Sequence, residues 1–265
     1  MTQMLNRNVD LEQILRGIEV IKSKQQTPEQ PKLPSKMDRE KCEKFSDYIT
    51  TRFIDACNHE TISGRFQNWK EKSDAEKLKL AADILNVFLN NISRDITRHQ
   101  VPIYRRDGDK YKPTNDEFDE KITMEMAKMP EISVNQMENA KPNDGMCITS
   151  SKDLRINMEQ AAYKDNPLQF LADLRHEFTH ISDMFIPEIS PLDADVREEA
   201  IRNYTDPHQN KELYKNNPLE LNANMKRDDY KQRIDAMLTM QEVNRNRTMN
   251  INMLGMMGRG YGRAA

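Results

Sequence analysis

His176, Glu177 and His180 stand in the stretch DLRHEFTHISD, Asp173 to Asp183, with the histidines four residues apart and the glutamate directly after the first. On an α-helix residues i and i+4 share a face one turn apart, so both imidazoles can offer a nitrogen to one cation. Zinc takes such nitrogens tetrahedrally and, with a third protein ligand, keeps one position open for water. Glu177 lies roughly 100° around the helix from His176, beside the cation rather than on it. That place suits a general base, taking a proton from a metal-activated water as it attacks a carbonyl. The chemistry expected is hydrolysis, with one zinc per chain as cofactor.

The surrounding residues predict the helix that this spacing needs. Phe170, Leu171, Leu174, Phe178, Ile181, Met184 and Phe185 give it a broad apolar surface. Phe178, Thr179 and Ile181 carry no charge, as a buried metal helix requires. Arg175 is the exception and is expected on the opposite face.

Two histidines need a further donor. The continuation H-x-x-G-x-x-H is absent, because position 183 is Asp and position 186 is Ile. Four residues downstream are candidates. Asp183 follows His180 by one turn and is expected to orient an imidazole. His208, in TDPHQN, sits in a turn-like stretch. Glu199, in DVREEAIRNY, comes 19 residues after His180, a separation similar to that in thermolysin-like and aminopeptidase gluzincins. The Asn-Glu pair those families place around the glutamate is absent. Glu220, in YKNNPLELNANMKRDDY, comes 40 residues after His180. Pro218 suits the first turn of a helix there, Asn216 or Asn217 can cap it, and the small Ala223 shares a face with Glu220. Tyr214, just upstream, can bring a phenol near the metal.

His-Glu-Phe-Thr-His followed by Tyr-x-x-x-Pro-x-Glu-x-x-Ala resembles the gluzincin branch of zincin metallopeptidases, including lethal-factor-like toxins and small bacterial or phage zincins. The resemblance covers residues 147 to 230. It implies a zinc-dependent endopeptidase with His176, His180 and Glu220 as ligands, Glu177 as base and Tyr214 steadying the oxyanion. It also implies an edge strand upstream of the metal helix that pairs with extended substrate, and DLRINM, residues 153–158, is placed for that role.

Around this core the expected fold is α+β and predominantly helical, a zincin-like catalytic domain with a small sheet packed on the HExxH helix. Leu11, Ile14, Leu15, Ile18 and Ile21 lie at helical spacing, and KQQTPEQPKLPSK then reads as a linker, so residues 1–36 form a flexible N-terminal segment. Residues 37–100 read as helical. The clearest helix there starts with the capping box Ser73 and Glu76, buries Leu80, Ile84, Val87, Phe88 and Ile92, and leaves Lys77 and Lys79 in solvent. Residues 101–243 form the catalytic domain, opening with short strands (a hairpin at Asp107-Gly108, then EISVNQM, GMCITSS and DLRINM) and returning to helix after Asn166-Pro167. Residues 244–265 are Met- and Gly-rich without periodicity and read as a disordered tail.

Hydrophobic residues make up 37% and charged ones 31%, which fits a folded core with polar flanks. A net charge of -3 excludes a nucleic-acid or membrane-surface footprint, so the partner expected is a peptide or protein substrate. Cys42, Cys57 and Cys147 have no metal-binding spacing and read as reduced thiols. No transmembrane run and no signal peptide are legible, which places the chain in a cytoplasm or on a signal-independent export route. The polar, Pro-rich N-terminus and the helical region 37–99 leave one alternative, a regulatory or partner-binding protein on a zincin scaffold. The resemblance to lethal-factor-like toxins, with the flexible ends, leaves another, a translocated effector protease. Oligomeric state is not written in the sequence.

Overall fold

The computed structural model describes residues 36–97, 104–107, 110–113, 129–141, 144–186 and 189–260. The expected helix at residues 11–21 and its linker lie outside the described residues. The fold is α+β and predominantly helical. In chain order come α1 (Lys36–Cys57), α2 (Asp74–Thr97), the strands β1 (Tyr104–Asp107), β2 (Lys110–Pro113), β3 (Ser133–Gln136), β4 (Met146–Ile148) and β5 (Asp153–Ile156), then α3 (Ala162–Asp165), α4 (Pro167–Phe185), α5 (Ala194–Arg202), α6 (Lys211–Lys215), α7 (Pro218–Ala223) and α8 (Arg227–Gly260). No helix of the described residues is long and apolar enough to cross a membrane.

α4 is the central element. Its Phe178 ring meets Phe53 of α1 at 5.5 Å and Phe88 of α2 at 4.7 Å, while Phe170 meets Trp69 at 5.1 Å. Tyr230 and Ile234 of α8 join the same buried cluster. Each fully buried aromatic or aliphatic side chain contributes about 1.5–3 kcal/mol of transfer free energy. The capping box forms as expected: Ser73 N donates to Glu76 Oε2 at 2.8 Å and Glu76 N to Ser73 Oγ at 3.3 Å. Lys77 does not stay in solvent. It is 3% exposed, its ammonium lying over the Trp69 ring and donating to the Tyr163 carbonyl at 3.3 Å. A long stem with a charged tip can be buried this way when a ring face and a carbonyl meet the tip.

The main sheet has the order β3-β5-β4, with β3 parallel and β4 antiparallel to β5. The DLRINM strand is therefore central, and the edge nearest α4 is β4. Asp107 pairs with Lys110 in the β1–β2 hairpin. The helix α8 runs on past Val243 to Gly260, where no element was expected. Its first half is anchored by buried Tyr230, Ile234 and Met237, and extending a nucleated helix needs only one hydrogen bond per residue fixed.

Candidate metal centre

Two short-range signals deliver the side chains. Asn166 caps α4, its side chain accepting from Leu168 N at 2.8 Å, and Pro167 occupies the first turn. Asn217, not Asn216, caps α7 in the same way, accepting from Leu219 N at 2.9 Å ahead of Pro218. Both prolines stand where a missing N–H costs nothing. α4 then carries His176 and His180 on one face, and α7 lays Glu220 against them.

The three groups converge on one point. His180 Nε2 lies 3.1 Å from His176 Nε2, Glu220 Oε2 lies 3.4 Å from His176 Nε2, and Glu220 Oε1 lies 3.2 Å from His180 Nε2. Ligands about 2.0–2.1 Å from a tetrahedral zinc sit about 3.3 Å from one another. The spacing and the donor set, two imidazole nitrogens and a carboxylate, therefore fit that ion. His180 and Glu220 are buried and His176 is half-buried. Glu177 stands beside them, and its carboxylate, His176 and His180 offer atoms all within 4.8 Å of one another. Its Oε2 accepts the backbone N–H of Ile148 on β4 at 3.0 Å.

The electrostatics follow from burial and proximity. Burial pushes the Glu177 carboxyl up to about 8, against the pull of His180 and the Ile148 amide. Burial opposes ionisation of Glu220, yet the hydrogen bonds from both imidazoles hold its carboxyl far below the usual range. Burial likewise opposes a charge on His180, but the hydrogen bond to Glu220 and the charges of Glu177 and Glu220 raise it to about 9. His176 moves the other way, lowered by burial. A cation is thus favoured at this point, and a proton on His180 serves as one.

Tyr204 is the residue that sequence spacing did not single out. Its hydroxyl donates to Glu220 Oε1 at 2.6 Å, although the residue as a whole is exposed. The Tyr214 ring meets the Tyr204 ring edge-on at 5.8 Å, and burial with the charge of Glu220 raises the Tyr214 phenol above its ordinary value. Both tyrosines therefore line the Glu220 side of the centre. No local signal marks Tyr204, which sits in an irregular stretch after α5.

The other candidates fall elsewhere. Glu199 is exposed on α5. His208 points to Asp144, their Nε2 and Oδ1 2.6 Å apart. Asp183 is fully buried but does not orient an imidazole; its oxygens accept from Ser190 Oγ at 2.6 Å and Asn222 Nδ2 at 2.8 Å. It thereby ties α4 to α7 one turn past His180. No family model, no curated protein and no solved structure matches this chain. The reading of the centre rests on its geometry.

Gly145, just before β4, packs against the Tyr163 hydroxyl of α3. A Cβ on Gly145 would lie 2.9 Å from the Tyr163 hydroxyl, which donates to Asp173 Oδ2 at 2.7 Å, one turn before His176.

Proposed function

We propose that the chain is a zinc-dependent endopeptidase of the gluzincin type, with a zincin-like catalytic domain, acting on a peptide or protein substrate. The observation that carries this is the triangle of His176 Nε2, His180 Nε2 and the Glu220 carboxylate, with edges of 3.1–3.4 Å, closed by a residue 40 positions away in sequence. His176, His180 and Glu220 would hold the zinc, which would supply Lewis acidity, polarising a carbonyl and making water a stronger acid.

The chain's own residues do the rest. Glu177, aimed by the Ile148 N–H, accepts a proton from the attacking water and passes it to the departing amine. Tyr214 donates its phenol hydrogen to the oxyanion of the attacked carbonyl. Extended substrate lies along β4. Gly145 and Thr149 bond to Asn157 and Asp153 of the β5 side, so in an antiparallel ladder the Met146 N–H and C=O and the Ile148 C=O point outward. These groups can pair with a peptide backbone, as unpaired strand edges do.

The test is metal content per chain by mass spectrometry together with cleavage of a quenched-fluorescent peptide library. The expected result is one zinc per chain and hydrolysis that a chelator abolishes. Glu177→Gln should keep the metal and lose about 10²–10⁴-fold in kcat, the usual contribution of a general base. A chain that takes up no zinc, or a Glu177→Gln variant with unchanged turnover, would overturn the reading.

A further inference from the structure

Every N–H direction of the Arg175 guanidinium meets an acceptor inside the protein. Arg175 is 0% exposed. Its Nε donates to Thr50 Oγ1 at 3.1 Å, its Nη1 to Thr179 Oγ1 at 3.2 Å and to the Ala223 carbonyl at 3.1 Å, and its Nη2 to the Ser46 carbonyl at 3.0 Å and Ser46 Oγ at 2.7 Å. The Tyr230 ring covers its face, 4.1 Å from the guanidinium carbon. One side chain thus joins α1, α4, α7 and α8.

We infer that Arg175 is a positioning residue for the third metal ligand, its planar fork locking α7, and with it Glu220, against the helix that carries His176 and His180. The inference rests on the metal-site reading above. α7 has six residues, too few to hold a helix by its own hydrogen bonds, so its place is set by what it touches. The last carbonyls of a helix lack intrahelical partners, and Arg175 takes the one at Ala223, three residues past Glu220. Asn222, the residue before, is held by Asp183 on the same α4. Arg175 and Asp183 bracket His176 and His180 along α4, so both clamps share one rigid frame with the two imidazoles. Filling the space alone would need only an apolar side chain, without desolvating a cation. Linking α1, α4 and α7 at once needs a rigid fork, which a lysine lacks.

The experiment titrates full-length chain with Co²⁺ and reads its visible absorption, for wild type, Arg175→Lys, Arg175→Met and the distant core variant Ile84→Val. Hydrogen exchange of metal-free samples over residues 218–223 is measured alongside. Ile84→Val controls for general loss of stability, and Arg175→Lys serves if Arg175→Met fails to fold. The expected result is Co²⁺ affinity weakened about 10–100-fold in both Arg175 variants, the range for lost outer-shell partners, with altered band positions and an unchanged Ile84→Val. Faster exchange confined to residues 218–223 should accompany it. Arg175 variants that bind Co²⁺ as Ile84→Val does overturn the inference and leave the metal reading standing. A wild type that binds no Co²⁺ overturns the metal reading instead. Exchange then decides the lock: faster exchange at 218–223 in the Arg175 variants supports it, and unchanged exchange overturns it.

Discussion

Two polar clusters sit on different faces of α4, and they are built on opposite principles. Around Arg175, donors and acceptors match: five hydrogen bonds and a ring face surround one cation, which burial pulls down only to about 10, so it stays charged at neutral pH. Around His180, lone pairs outnumber hydrogens: two imidazole nitrogens and two carboxylates share one small volume. Burying polar groups costs free energy unless they are partnered. The first cluster is complete as it stands and holds helices in place. The second crowds two imidazoles and two carboxylates into one place, and that crowding marks it as the candidate functional centre.

Three measurements can break or sharpen that contrast. The largest effect on stability is expected from Arg175→Met, which strands the acceptors of Ser46, Thr50 and Ala223. Urea unfolding of the metal-free chain should show a loss of about 3 kcal/mol, since each orphaned buried group costs about 1–3 kcal/mol with partial compensation by relaxation. Excess zinc should widen the gap by about 1.4–2.7 kcal/mol, the amount that an affinity weakened about 10–100-fold carries. A loss seen only with zinc present would mean that this cluster is not complete in itself.

Zinc should act in the reverse sense. At a hundredfold excess over Kd it should stabilise wild type by about 2.7 kcal/mol, by binding only the folded chain. Calorimetry should show that gain vanish in Glu220→Ala and on chelation. A gain that survives in Glu220→Ala would transfer the third ligand to another residue.

Smaller effects come from the rim. Tyr204→Phe removes one hydrogen bond to Glu220 and should weaken metal affinity about tenfold, measured by competition with a chromophoric chelator. Glu199→Ala and His208→Ala should leave metal content unchanged and stability within about 0.5 kcal/mol, as surface substitutions do. Metal loss in either variant would contradict the geometry described here.

Much of the site was legible in the linear sequence because its signals are local. Helical spacing places His176 and His180 on one face, and Asn-Pro pairs at 166–167 and 217–218 start α4 and α7. Capping and i,i+4 geometry involve neighbours in the chain, so residue types alone determine them.

What remained is long-range. Only packing of α7 on α4 brings Glu220, rather than Glu199 or His208, to His176 and His180, because that depends on which helix returns to α4. Only sheet order makes β4 the edge beside Glu177 and puts β5 in the centre. Tyr204 reaches Glu220 from an irregular stretch that has no periodicity to read. Arg175 shows the limit most sharply. The sequence determined that it points away from the histidine face, about 100° around the helix from His176, but a charged residue there ordinarily means solvent. Tertiary structure decided that it is buried, because acceptors from α1, α4 and α7 and the ring of Tyr230 meet only when the whole chain has folded.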